Sequence, residues 1–167
     1  MTLGSDRRVV VYMGDDERFE YIYKYVSNRP YVPENGAGNA SLLDDGVLYV
    51  ARFNDNLGGE WLPLIWGENG LTPENGFADQ GEVLIKTRLA ADRVGATKMD
   101  RPEWIAVNPR TADVYCTLTN NDRRGNSGQP ATDAANPRSQ NVFGHVIRWT
   151  EDGQDASARR FNWQLFV

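Results

Sequence analysis

Three segments of this chain repeat one pattern, and that repetition limits the fold more than any other feature. Val9 to Met13 runs into Gly14-Asp15-Asp16-Glu17-Arg18 and then Glu20 to Val26. Val47 to Phe53 runs into Asn54-Asp55-Asn56-Leu57-Gly58-Gly59 and then Glu60 to Leu64. Asp113 to Leu118 leads through a long polar stretch beginning Thr119-Asn120-Asn121-Asp122 to Gly144 to Trp149. Each is strand, acid- or amide-rich loop, strand. Units stacked in the same sense gather their loops at one end, which is how a β-propeller builds a ligand site over its axis. The predicted fold is therefore all-β, a partial β-propeller of about three such units, in a single domain over residues 1–167. An ordinary β-sandwich whose loops are polar is the alternative. One helix interrupts the pattern near 79–94: Val83, Leu84, Leu89, Ala90 and Val94 recur near the helical period, Asp79 suits the N-cap and Gly95 suits the C-terminal stop.

The apolar fraction of 40% is enough for a packed core in 167 residues. A net charge of −5 argues against nucleic acid as a partner, because phosphate backbones are met by basic faces. No stretch approaches the roughly 20 apolar residues of a membrane span, and the polar start from Met1 to Arg8 does not resemble a secretory signal. Taken as written, the chain reads as cytoplasmic. Cys116 and His145 are the only cysteine and histidine, so internal disulfides and thiolate zinc clusters are excluded and carboxylates are the main chemical resource. Cys116, mid-strand, reads as a buried thiol, and His145, heading an apolar strand, as a structural histidine. Trp61, Trp66, Trp104, Trp149 and Trp163 read mainly as packing residues.

The candidate chemistry lies in Thr97-Lys98-Met99-Asp100-Arg101-Pro102-Glu103-Trp104. An arginine can fork onto phosphate and a glutamate can hold a hard cation. Proline fixes φ at Pro102 and biases Arg101 toward an extended backbone, so alternation is expected to send Arg101 and Glu103 to one face. A weak surface ion pair beside a turn is the plainer reading of the same residues.

Three runs carry a resemblance: Tyr12 to Lys24, Gly95 to Trp104, and Asn136-Pro137-Arg138 with Asn141 and Gly144 to Trp149. In order and spacing they resemble the PhoX family of alkaline phosphatases, across nearly the whole chain. The resemblance implies a β-propeller enzyme that hydrolyses phosphate monoesters with calcium and iron as cofactors and works in the periplasm or outside the cell. By position, Arg101 resembles the catalytic residue that holds the substrate phosphate. Glu103 and Glu17 resemble carboxylate ligands of the metals, with Asp16 a neighbouring candidate, since adjacent strand-end residues point apart unless a turn re-aims one of them. Asn120, Asn121 and Asn141 are weaker calcium candidates, because amide oxygens also suit turns. The family is longer than three units, and Cys116 does not match its iron-ligating cysteine. The chain thus reads as a piece of a longer phosphatase, with a phosphate ester as partner and self-association through open sheet edges as a further expectation. A non-catalytic calcium-binding scaffold is the competing function, and the sequence leaves open whether the chain is an enzyme.

Overall fold

The computed structural model describes all residues, 1–167. Nine strands form one antiparallel sheet: β1 (Thr2–Leu3), β2 (Arg8–Gly14), β3 (Ile22–Pro30), β4 (Gly46–Phe53), β5 (Gly58–Pro63), β6 (Pro102–Val107), β7 (Val114–Leu118), β8 (His145–Glu151) and β9 (Arg160–Leu165). Their order is β1-β2-β3-β4-β5-β9-β8-β7-β6. Two four-stranded meanders, β2 to β5 and β6 to β9, are therefore joined where β9 pairs with β5 at Gly58↔Asn162, Gly59↔Phe161 and Glu60↔Arg160. The chain is all-β with a few short helical pieces. The three repeated segments are the pairs β2/β3, β4/β5 and β7/β8, lying in one continuous sheet.

Period-two alternation decides which face is buried. Val10 and Tyr12, Ile22 and Val26, Ala51 and Phe53, Val114, Cys116 and Leu118, Ile147 and Trp149, and Phe161 and Trp163 all belong to one buried cluster that also takes in Trp61. Residues from both meanders can share one core only if the sheet curls around it. The ends of the sheet accordingly approach each other: a Cβ on Gly14 of β2 would lie 2.5 Å from the carbonyl oxygen of Pro102 in β6, so only glycine fits there. Aromatic edges fill the interior, with Trp61 and Trp149 rings 6.0 Å apart and Phe53 meeting Trp163 at 5.5 Å and 90°. Trp66 and Trp104 lie outside this core, with Trp104 78% exposed.

The outer face of β3 to β5 is covered by the helical segment. A single helix over 79–94 is not what forms: α1 (Gln80–Ile85) and α2 (Thr87–Val94) are separated at Lys86, whose φ of −93° and ψ of 35° leave the helical region. The break lets Val83 and then Ala90 and Ala91 pack with Tyr21, Tyr23, Val50 and Leu64, while Leu84 and Leu89 face solvent. Asp79 and Gly95 do terminate the segment: the Asp79 carboxylate accepts from Glu82 N–H at 2.9 Å, and Gly95 has a φ of 77°. No helix is long and apolar enough to cross a membrane.

Antiparallel alternation fixes where the loops go. Those after β2, β4 and β7 all leave the sheet at the same end, and β6 begins there. That end collects residues 15–21, 54–57, 97–101 and 119–144.

Candidate functional site

Arg101 sits at this end with a side chain that is 26% exposed. Its Nη2 lies 3.0 and 3.2 Å from the two carboxylate oxygens of Asp16, and 3.8 Å from Glu103 Oε1. The proximity of Arg101 and Glu103 expected from sequence is present, but its cause is different. Arg101 is not extended: its φ is 59°, in the left-handed region, and the pairing of β6 with β7 is irregular between Pro102 and Ile105. The bias imposed by a following proline is overridden by contacts on either side of Arg101.

Those contacts begin with Asp100, which is fully buried. Its Oδ1 accepts from Arg124 Nε at 2.6 Å and Asn121 Nδ2 at 2.9 Å, and its Oδ2 accepts from Asn141 Nδ2 at 3.1 Å. Burying a carboxylate demands such donors. Asn121 and Asn141 are thus turned into the protein with their amide nitrogens toward a carboxylate, and neither presents a ligand cluster to solvent. Asn141 also meets His145 Nδ1 at 3.0 Å, and His145 Nε2 lies 2.8 Å from the Ala135 carbonyl, an arrangement that fits the neutral Nε2–H tautomer. Burial lowers the histidine pKa, keeping it uncharged. His145 is structural, and Cys116 is buried with its thiol pKa pushed up by burial.

Asp16 and Glu17 diverge in the tight turn after β2, where the Glu17 N–H donates to the Asp15 carbonyl at 2.8 Å. Glu17 Oε1 accepts from the Arg18 backbone N–H at 2.7 Å and lies 3.8 Å from the Arg18 guanidinium, which is itself bonded to Asp122 at 2.8 Å. The carboxylates beside Arg101 are therefore Asp16 and Glu103, and Glu17 is not brought to them. Asn120 is half-buried in the loop after β7.

Nowhere in the chain do three histidine, cysteine, aspartate or glutamate side chains converge on a point that could hold a metal ion. Asp16 and Glu103 offer hard oxygens, yet calcium takes six to eight. By themselves the residues of this chain do not fit a metal cluster. What the site does offer is a guanidinium with Nη2 engaged by Asp16 and no protein acceptor on Nε or Nη1. One edge of the fork, the second Nη2 proton with either Nε or Nη1, is open to a bidentate oxyanion.

Sequence reasoning did not single out Asp100 and Arg124, or the second buried ion pair, Lys24 with Glu151 (3.3 Å) inside the core. A signal existed for the latter. Lys24 alternates with Ile22 and Val26, and Glu151 with Ile147 and Trp149, so each charge falls in register with inward-facing apolar residues.

The family model for Alkaline phosphatase PhoX matches residues 1–167. Among solved structures, Pseudomonas fluorescens PhoX in complex with vanadate, a transition state analogue, is 51% identical, with a TM-score of 0.95 over 99% of this chain. The match covers 30% of that chain, so this protein spans less than a third of its relative's length. A search of curated proteins found no match. With the whole chain matched by the family model and half its residues identical to those of a solved member, the protein belongs to the PhoX alkaline phosphatase family.

Proposed function

We propose that this chain carries the phosphate-gripping part of a phosphatase acting on phosphate monoesters, with Arg101 as the residue that binds the non-bridging oxygens. The observation that carries the reading is the partly exposed Arg101 side chain whose guanidinium is engaged only through Nη2, leaving Nε and Nη1 free of protein acceptors. A planar fork in that state matches two oxygens of a phosphate and the charge that spreads over them during phosphoryl transfer. A relative at 51% identity that takes vanadate, a mimic of that geometry, supports it.

The electrostatics limit what this chain does alone. Arg101, Asp16 and Glu103 together carry one net negative charge, so a phosphate dianion approaching them needs further positive charge. Calcium and iron are the cofactors the family resemblance suggests, with Glu103 and Glu17 as carboxylate ligands and Asp16, which lies beside Arg101 here, as the alternative to Glu17. Their remaining ligands would come from parts of a longer phosphatase that this chain does not span. Two four-stranded meanders, the usual strand count of propeller blades, support a place for this chain within a larger β-propeller. Export to the periplasm or beyond belongs to the same reading.

Calorimetric titration of the purified chain with orthovanadate tests the central claim. Binding that weakens at least tenfold in Arg101→Ala, about 1.4 kcal/mol, is the expected result. Vanadate binding indifferent to that change would remove Arg101 from the phosphate site. Hydrolysis of a chromogenic phosphate monoester with calcium and iron supplied, and a chelator control, separates an active chain from one that binds without turnover. Stabilisation by calcium with no vanadate binding would favour the scaffold function instead.

A further inference from the structure

We infer that Asp100 is the positioning residue for Arg101, fixing the direction of its guanidinium through a buried network; the inference rests on the phosphate-binding role of Arg101. Arg101 holds a left-handed backbone, which a non-glycine residue keeps only when its surroundings over-determine it. Here both neighbours are pinned. On the N-terminal side, Asp100 is fully buried and takes three donors, from Arg124, Asn121 and Asn141. Arg124, equally buried, reaches back to the Lys98 carbonyl at 2.6 Å and across to the Ala131 carbonyl at 2.9 Å, with its guanidinium 5.3 Å from the Phe19 ring. The backbone of residues 98–100 is thereby clamped from within, and it is tied to the loop after β2 by Phe19 N–H to Met99 O (2.9 Å), Met99 N–H to Glu20 O (2.9 Å) and the Arg18↔Asp100 bridge.

On the C-terminal side, the carbonyl of Arg101 accepts from both the backbone N–H and the hydroxyl of Thr119, each at 3.1 Å. The peptide planes flanking Arg101 are held, and only its side chain projects, toward Asp16. The same loop after β2 carries Asp16. The Asp100 carboxylate thus ties 98–101 to 119–141, and the backbone around Asp100 ties 98–101 to 15–20, so the three segments that define the direction and the partner of the arginine meet at this residue. A merely stabilising role would not require this: apolar side chains of similar volume replace buried ion pairs with little loss, but they do not fix a direction.

The test uses the full chain with Asp100→Asn and, because that change leaves Arg124 buried without its carboxylate, also Thr119→Val, which removes one of the two bonds to the Arg101 carbonyl. Two readouts are taken: the dissociation constant for orthovanadate, and the ¹H–¹⁵N heteronuclear NOE of the Arg101 Nε group, assigned by its disappearance in Arg101→Lys. We expect Asp100→Asn to weaken vanadate binding about tenfold and Thr119→Val about threefold, with the NOE falling in both. The double variant Asp100→Asn/Arg101→Ala should bind no worse than Arg101→Ala alone. An unchanged NOE in a folded Asp100→Asn protein, or an additional loss in the double variant, overturns the inference. If Asp100→Asn does not fold, Thr119→Val decides it by the same readouts. If the unaltered chain does not bind vanadate even with calcium and iron supplied, the phosphate role fails for this chain, while the NOE still supports or overturns the positioning of Arg101.

Discussion

Arg101 occupies a backbone conformation that favours glycine, at the position proposed to grip phosphate. The left-handed region costs an L-residue about 1–2 kcal/mol relative to glycine. Arg101→Gly should therefore be more stable than Arg101→Ala by about 1 kcal/mol in chemical denaturation, although both lose the guanidinium. Equal stabilities would mean that the left-handed backbone is not enforced. That Arg101 and Glu103 lie close together was legible from residue types at a spacing of two. The backbone conformation was not, because it depends on a buried carboxylate next door whose partners lie 21, 24 and 41 residues away. The same distance effect hid the fate of Asn121 and Asn141. Their amides suited calcium or turns equally well in sequence, and the need of Asp100 for donors took them inward.

The helical segment shows how far local signals reach. Its ends were written in Asp79 and Gly95, where a side-chain cap and a left-handed glycine act within a few residues. Its break was not: the Lys86 N–H still reaches the Glu82 carbonyl at 2.8 Å, but its φ and ψ leave the helical region, and Val83, Ala90 and Ala91 then pack on the sheet from two separate pieces. The cap has a measurable value. Asp79→Ala removes the acceptor for Glu82 N–H and should lower stability by about 1 kcal/mol, read as a drop in thermal midpoint with vanadate affinity unchanged, because α1 starts at the opposite end of the sheet, where Gln80 donates to the Leu64 carbonyl at 2.9 Å. The strand pairs within each repeated segment were equally legible, as alternation and turn residues fix neighbours close in sequence.

At the scale of the molecule the curled sheet encloses a charged pair. Lys24 Nζ lies 3.3 Å from Glu151, donates to the Ala156 carbonyl at 3.1 Å and to the Ala158 carbonyl at 2.5 Å, and stands 4.7 Å from the Trp61 ring. Glu151 also accepts from Tyr12 at 2.7 Å and from Trp61 at 3.1 Å. Burial dominates over these partners: it pushes the Glu151 carboxyl up to about 7 and the Lys24 ammonium down to about 8. The sign follows from proton binding. Between the ordinary glutamate value of 4.5 and about 7, folded Glu151 keeps a proton that the unfolded chain has lost, so raising the pH through that window lowers stability. Buried His145 acts in the opposite sense, since acid protonates it only in the unfolded chain. The comparison of the unaltered protein with Glu151→Gln cancels the histidine. The difference in unfolding free energy between the two should change with pH across this window, and a flat difference would show that Glu151 titrates normally.

The pairing of β5 with β9 could not be read from the sequence, for it joins residues about a hundred positions apart and no local pattern announces it. It has a consequence in time. The strand that closes the sheet at its centre is the last of the nine to be synthesised, so a growing polypeptide carries a five-stranded sheet, β1 to β5, and a three-stranded one, β6 to β8, with unpaired edges on β5 and β8 until Arg160 to Leu165 leaves the ribosome. During that interval Phe53 and Trp149 lack the Phe161 and Trp163 rings they later pack against, and the nascent chain offers chaperones an apolar, edge-rich surface that the finished protein hides.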